Sequence, residues 1–122
     1  MDETIGAVII APQALVTVAR QVAEATPGVA RLASNLSGRM SRVLRGSRSD
    51  AGVDVAIQDG AVSLKVFVVA MPNTALPALG SALQQAIYHA IADVVGMPVH
   101  SVNIHFVDVQ DPFDATGSGA VV

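Results

Sequence analysis

The sequence predicts a two-layer α+β domain, a mixed β-sheet with helices packed on one face, in the element order βα-(basic insert)-ββαβ. Three observations carry that prediction. Residues 52–69 alternate apolar and polar side chains about an Asp59-Gly60 turn, the pattern of a hairpin. A long apolar stretch at helical spacing follows it. Residues 99–109 then return to alternation. A chain of 122 residues is one domain by length, long enough to bury about two-thirds of its unfolded surface. The domain is expected over residues 1–110, with residues 111–122 a flexible tail rich in Asp, Gly and Ser.

Residues 5–10 read as a short first strand of β-branched residues that closes at Ala11-Pro12. Pro12 suits the first helical position, where its missing N–H is not needed. Ala11 offers no side-chain cap, so this helix starts with little local help. Leu15, Val18, Ala19 and Val22 form its apolar stripe, and Thr17, Arg20, Gln21 and Glu24 its wet side. Thr26-Pro27-Gly28 ends it. Residues 31–52 are too long for an ordinary connection. Within them, residues 37–46 carry a helical pattern. Leu36, Met40, Val43 and Leu44 cluster on one side, and Arg39, Arg42 and Arg45 fall on the opposite arc. A helix this short is marginal alone in water, so it is expected to dock on something.

In the hairpin, Val53, Val55 and Ile57 point inward, as do Val62, Leu64, Val66 and Val68 on the return strand. Phe67 and Val69 make the other face apolar too, so the far end of that strand is expected to be covered on both sides. The second helix is predicted from about residue 74 to 95, with Pro77 in its first turn. Leu79, Leu83, Ala86, Ile87, Ala90, Ile91 and Val94 make its apolar face. Ser81, Gln84, Gln85, Tyr88 and Asp93 lie opposite. Gly96 fits a left-handed cap, and Met97-Pro98 cannot continue the helix. In the last strand Val102, Ile104 and Phe106 face one way, Asn103 and His105 the other. The order is compatible with a ferredoxin-like arrangement.

Hydrophobic residues make up 52% of the chain but aromatics only 3%, so the core is built from Val, Ala, Leu and Ile. A mean hydropathy of +0.54 is high and points to apolar surface that a partner, a second copy or a membrane covers. No cysteine is present, which excludes disulfides, thiolate catalysis and zinc–thiolate sites. The N-terminus is acidic and its apolar run short, unlike a signal peptide. Residues 66–92 contain no charged side chain, long enough to span a bilayer. Prolines, Asn73, Gln84, Gln85, Tyr88 and His89 interrupt that run, so a strand followed by a core helix is the better reading.

The formal charge of −3 hides an asymmetry. Residues 31–48 hold Arg31, Arg39, Arg42, Arg45 and Arg48 and no acid, a charge of +5, against −8 for the remainder. A basic insert on an acidic body points to an anionic partner, with a solvated loop as the competing reading.

Chemistry is sparse. There is no Walker loop or GxGxxG motif, and Gly117-Ser118-Gly119 lacks the strand–turn–helix context of a nucleophile elbow. His89, His100 and His105 are the only histidines. By strand parity His100 and His105 point to opposite faces and share no metal. Asp108 and Asp111 read as solvating groups rather than cation ligands. Nucleic-acid binding is the main competing class, because arginines contact phosphates. No GxxG loop or aromatic-rich RNP strand supports it, so nucleic acid is disfavoured as a partner.

Several features occur in series: Pro27-Gly28-Val29-Ala30-Arg31-Leu32, the Arg-rich insert leading to Gly52-Val53-Asp54-Val55, the Asp59-Gly60 hairpin, the helix ending Val94-Val95-Gly96, and Val102-Asn103-Ile104-His105. This series resembles the alkaline shock protein family of Gram-positive bacteria, the envelope stress response proteins, over about residues 5–110. Ala11 departs from a common polar cap, and Ala70-Met71-Pro72-Asn73-Thr74 replaces an acidic segment. The resemblance implies a non-enzymatic cytoplasmic scaffold or stress protein that supports cell-envelope homeostasis. It implies peripheral attachment at the inner face of the membrane through a membrane-protein partner or an anionic membrane surface, and self-assembly into a homo-oligomer. It implies no catalytic residues, no cofactor, no metal and no small-molecule substrate. The alternative is a nucleic-acid-binding accessory module that uses the Arg-rich insert. On the residue reading, Arg39, Arg42, Arg45 and Arg48 are the expected contacts to an anionic partner or membrane surface. Phe67, Val69, Gln84, Gln85 and Tyr88 are the expected self-association residues.

Overall fold

A computed structural model of the chain describes residues 5–33 and 47–112, with residues 47–49 as backbone alone. The elements are α1 (Pro12–Ala25), β1 (Val29–Leu32), β2 (Ser47–Asp50), β3 (Val53–Gln58), β4 (Ala61–Ala70), α2 (Leu76–His89) continued by a π-helical turn (Ala90–Val95), and β5 (Val99–Val109). β4 is the spine of a five-stranded mixed sheet. Along one side it pairs in parallel with β5. Along the other it pairs antiparallel with β3, register Val53↔Val66 to Gln58↔Ala61, and then with β1, register Leu32↔Val68. The change of partner falls at Phe67. Its N–H donates to the Gly52 carbonyl at 2.9 Å, and its carbonyl accepts from the Ala33 N–H at 2.8 Å. β2 extends the sheet beyond β3.

The hairpin reads as expected. Asp59 (φ 55°) and Gly60 (φ 78°) are both left-handed, the conformation of a type I′ turn, whose twist matches that of the strands it joins. Ala51 (φ 48°) and Gly52 (φ 85°) make a second two-residue turn between β2 and β3. Gly is required at the second position. A Cβ on Gly52 would come within 2.7 Å of the Ala33 carbonyl oxygen, at the point where β1 comes alongside β4.

Both helices cover one face. α1 packs over β1, β2 and β3, while α2 packs over β5, and the two helices touch. Val53, Val55, Val62, Leu64, Val66 and Val68 form the floor of the shared core; Leu15, Val16, Ala19, Leu79, Leu83, Ile87 and Ile91 form its roof. Such a core, with no aromatic at its centre, gains its stability from many close aliphatic contacts. The far end of β4 is covered on both faces, as its pattern predicts: Val68, Val69 and Ala70 are all buried.

Four expectations are corrected. Residues 5–10 form no strand; the chain there is irregular, and Ile5, Val8 and Ile9 are 91%, 92% and 86% exposed. The reason is one of pairing: β5 takes one side of β4, while β3 and β1 take the other, so no place beside the central strand is left. The basic insert is shorter than residues 31–52, because its ends are strands β1 and β2. Ser47-Arg48-Ser49-Asp50 has no apolar alternation, and only its backbone pairing with β3 reveals it. The helix predicted over residues 37–46 lies outside the described residues, as do residues 113–122 of the expected tail.

The third correction concerns Val94, expected on the apolar face of the second helix but 81% exposed. The buried positions run Leu79, Leu83, Ile87 and Ile91, with Val95 packed against the core after them. The wider π turn over Ala90–Val95 needs more residues per revolution, which swings Val94 outward and brings Val95 in. Gly96 (φ 87°) then closes the helix, its N–H donating to the Ile91 carbonyl at 2.8 Å. Fourth, the α1 stripe is wider than expected: Leu15 and Ala19 are buried and Val18 and Val22 are half-buried against the core, as the spacing predicts, but Val16 and Ala23 are buried too. The helix meets both the sheet and α2, so its contact arc is broader than one stripe.

Candidate functional site

Three surfaces carry the side chains singled out by the sequence. The first is a cleft of about 430 Å³ between the outer flank of α2 and the start of β5. Gln84, Gln85 and Tyr88 line it from the helix, and Val99, His100 and Val102 from the strand. α2 places its residues there because its opposite side is fixed in the core by Leu79, Leu83 and Ile87. The Gln84 side-chain amide donates to the Val102 carbonyl at 3.1 Å. At the cleft's end Tyr88 meets His89 edge-on, with ring centroids 5.5 Å apart, and His89 Nδ1 lies 3.0 Å from the Asp93 carboxylate. The structure thus brings Gln84, Gln85 and Tyr88 together on one wall.

Phe67 and Val69 lie elsewhere, on the sheet face opposite the helices. Phe67 stacks on His105, centroids 4.8 Å apart and planes 20° from parallel. Val69 is only 3% exposed, set in register between Arg31 of β1 and Asp108 of β5. Its own sheet neighbours already shelter it, so of this pair Phe67 keeps the more accessible surface. The two groups of expected self-association residues therefore belong to different faces of the molecule.

The third surface is the arginine segment. Arg39, Arg42 and Arg45 lie outside the described residues. Arg48 stands in β2, its backbone opposite Val55. The chain leaves the sheet at Ala33 and re-enters it at Ser47, so both ends of the basic segment are fixed by backbone hydrogen bonds.

The histidines need one correction. A bulge separates Val62↔Val99 from Ser63↔Ser101, and His100 is the extra residue within it. Simple alternation does not apply there: His100 sits at the sheet margin, bordering both the cleft and a smaller hollow beside Asp59. Five residues of strand, about 16 Å, still separate it from His105. Among the described residues no three His, Asp or Glu side chains are placed to hold a metal ion. Sequence reasoning missed the strand wall of the cleft. A bulge has no residue signature, although an unusually long last strand beside a polar helix flank was a signal.

No helix of the described residues is long and apolar enough to cross a membrane. Among known proteins, the chain is similar to YqhY of Bacillus subtilis (strain 168), 24% identical over 109 residues that cover 89% of this chain and 81% of that protein. Among solved structures it is similar to the MamM CTD in a zinc form. That likeness has a TM-score of 0.51 at 10% identity and covers 81% of this chain and 87% of the other. At that identity the likeness is one of fold. The alkaline shock protein 23 family, described as having a cell envelope-related function, matches residues 1–111. That is nearly the whole domain, from the exposed N-terminal segment to the end of β5, and it agrees with the resemblance read from the residues. The chain belongs to the alkaline shock protein 23 family, and its role is related to the cell envelope.

Proposed function

We propose that this protein is a non-enzymatic scaffold of the cell envelope, working in the cytoplasm at the inner face of the membrane. Its arginine segment meets anionic lipid head groups or an acidic membrane-protein partner. The observation that carries this reading is the charge distribution set against the fold. Five arginines and no acid lie within residues 31–48, on a body of net −8. Strands β1 and β2 hold the two ends of that segment, at Arg31 and Arg48, in the sheet. Each arginine near an anionic surface contributes about 1 kcal/mol, so Arg39, Arg42, Arg45 and Arg48 together are enough for reversible attachment. The effect weakens with salt.

Flotation with vesicles containing anionic lipid tests it. The parent is expected to float at low salt, and the Arg39→Ser/Arg42→Ser/Arg45→Ser variant to stay behind. Equal flotation of both would contradict a role for these arginines. Absence of flotation, with salt-dependent retention on an oligonucleotide instead, would replace the reading with the nucleic-acid alternative.

A further inference from the structure

Residues 5–10, Ile-Gly-Ala-Val-Ile-Ile, have the side-chain pattern of a strand and no strand partner among the described residues. Ile10 packs against the core, but Ile5, Val8 and Ile9 project almost wholly into water. Removing aliphatic side chains of that size from water is favourable, so a partner surface for these three would be strongly favoured. The same molecule offers one. β5 is eleven residues long and, among the described residues, pairs with β4 alone, which leaves its outer edge open. The cleft beside Tyr88 runs along the first part of that edge and is large enough for aliphatic side chains.

We propose that residues 5–10 of one copy add as a strand to the free edge of β5 in a second copy. Ile5 and Ile9, two residues either side of Ala7, share a face and enter the cleft lined by Gln85, Tyr88 and Val99. Gln84 holds the Val102 carbonyl in the single chain, and a backbone N–H of the incoming strand takes its place. The edge carbonyl is therefore satisfied before and after docking.

The segment cannot serve its own β5. Gln13, in the first turn of α1, donates to Asp50 at the end of β2, which fixes the root of the segment at the opposite margin of the sheet. β2 and β5 are three strand spacings apart, about 14 Å, and the outer edge lies one spacing further. Six extended residues reach about 20 Å. Crossing the sheet consumes that length and leaves nothing to run along the edge. The occupant is thus the segment of another copy, and each copy carries both halves of the contact, as in strand exchange. Strand addition of this kind is independent of membrane attachment and survives its failure.

The absence of native cysteine gives a clean test. One copy carries Ile9→Cys and a mass tag, the other Val99→Cys, which faces the cleft, and the two are mixed under mild oxidation. The expected result is a tagged–untagged covalent dimer. Its yield should exceed, by about tenfold or more, that of Ile9→Cys mixed with Asp59→Cys at the hairpin tip, since a disulfide needs its Cα atoms within about 7 Å. Equal yields from the two pairings would overturn the proposal. So would an intrachain disulfide when both substitutions are placed on one chain. Independently, Ile5→Asp/Ile9→Asp should weaken association in sedimentation by more than about a hundredfold, because two carboxylates would have to be desolvated at the contact. These side chains are exposed in the single chain, so its fold is not at risk. Unchanged association would overturn the proposal as firmly as a failed cross-link.

Discussion

Two stretches of this chain have nearly the same chemistry and opposite fates. Residues 66–70, Val-Phe-Val-Val-Ala, and residues 5–10, Ile-Gly-Ala-Val-Ile-Ile, are both short, apolar and rich in β-branched side chains. The first is the end of β4, with β5 on one side, β3 and then β1 on the other and helices above, and its Val66 and Val68 have no exposed surface. The second has no neighbour in register among the described residues, and three of its side chains are almost fully in water. The difference is not propensity. A strand is stabilised by cross-strand and same-face contacts, so the same residues become a strand or an exposed segment according to what lies beside them. In this fold every side of β4 is occupied, and the free edges are at the margins.

The largest expected effect that would break this comparison lies in the core. Leu64→Ala on β4, or Leu83→Ala above it, should lower unfolding free energy by about 2–5 kcal/mol in chemical denaturation, because each leaves a cavity in a buried aliphatic layer. A loss below about 0.5 kcal/mol at both sites would mean that the assigned interior is not the interior. Next comes the junction that fills the place beside β4. Gly52→Ala should cost about 1–3 kcal/mol, since it puts a Cβ at positive φ and against the Ala33 carbonyl. A neutral result would show that β1 does not need its close approach to β3. The smallest effects are expected on the exposed side. Val94→Ala, and Ile9→Ala in dilute solution, should stay within about 0.5 kcal/mol of the parent. A larger loss for Val94 would return it to the apolar face that the sequence period assigned to it.

What could be read from residues was local. Asp59-Gly60 declared its hairpin because both positions adopt positive φ, and the helix stripe through Leu79, Leu83 and Ile87 emerged because helical period is a local property. Gly96 and Met97-Pro98 marked a helix end for the same reason. What escaped was long-range. β1 and β2 are four residues each, and Ser47-Arg48-Ser49-Asp50 shows no apolar side; its strand identity comes from the backbone of β3. The π turn and the bulge at His100 shift side-chain phase by a fraction of a turn or by one residue, and neither has a compositional mark. The candidate site was half legible: the helix wall of Gln84, Gln85 and Tyr88 followed from helical phase, while the strand wall depended on which edge of the sheet stayed free.

Amide hydrogen exchange, followed residue by residue over a wide range of protein concentration, tests the central claim most directly. Amides of residues 66–70 should be protected at every concentration, because their hydrogen bonds lie within one chain. Those of residues 5–10 should exchange freely in dilute protein and gain protection as concentration rises, together with those on the outer edge of β5. Protection of residues 5–10 that persists at high dilution would contradict the account, since it would place a partner for that segment within its own chain. Free exchange at every concentration would contradict it equally, by showing that no copy ever accepts the strand.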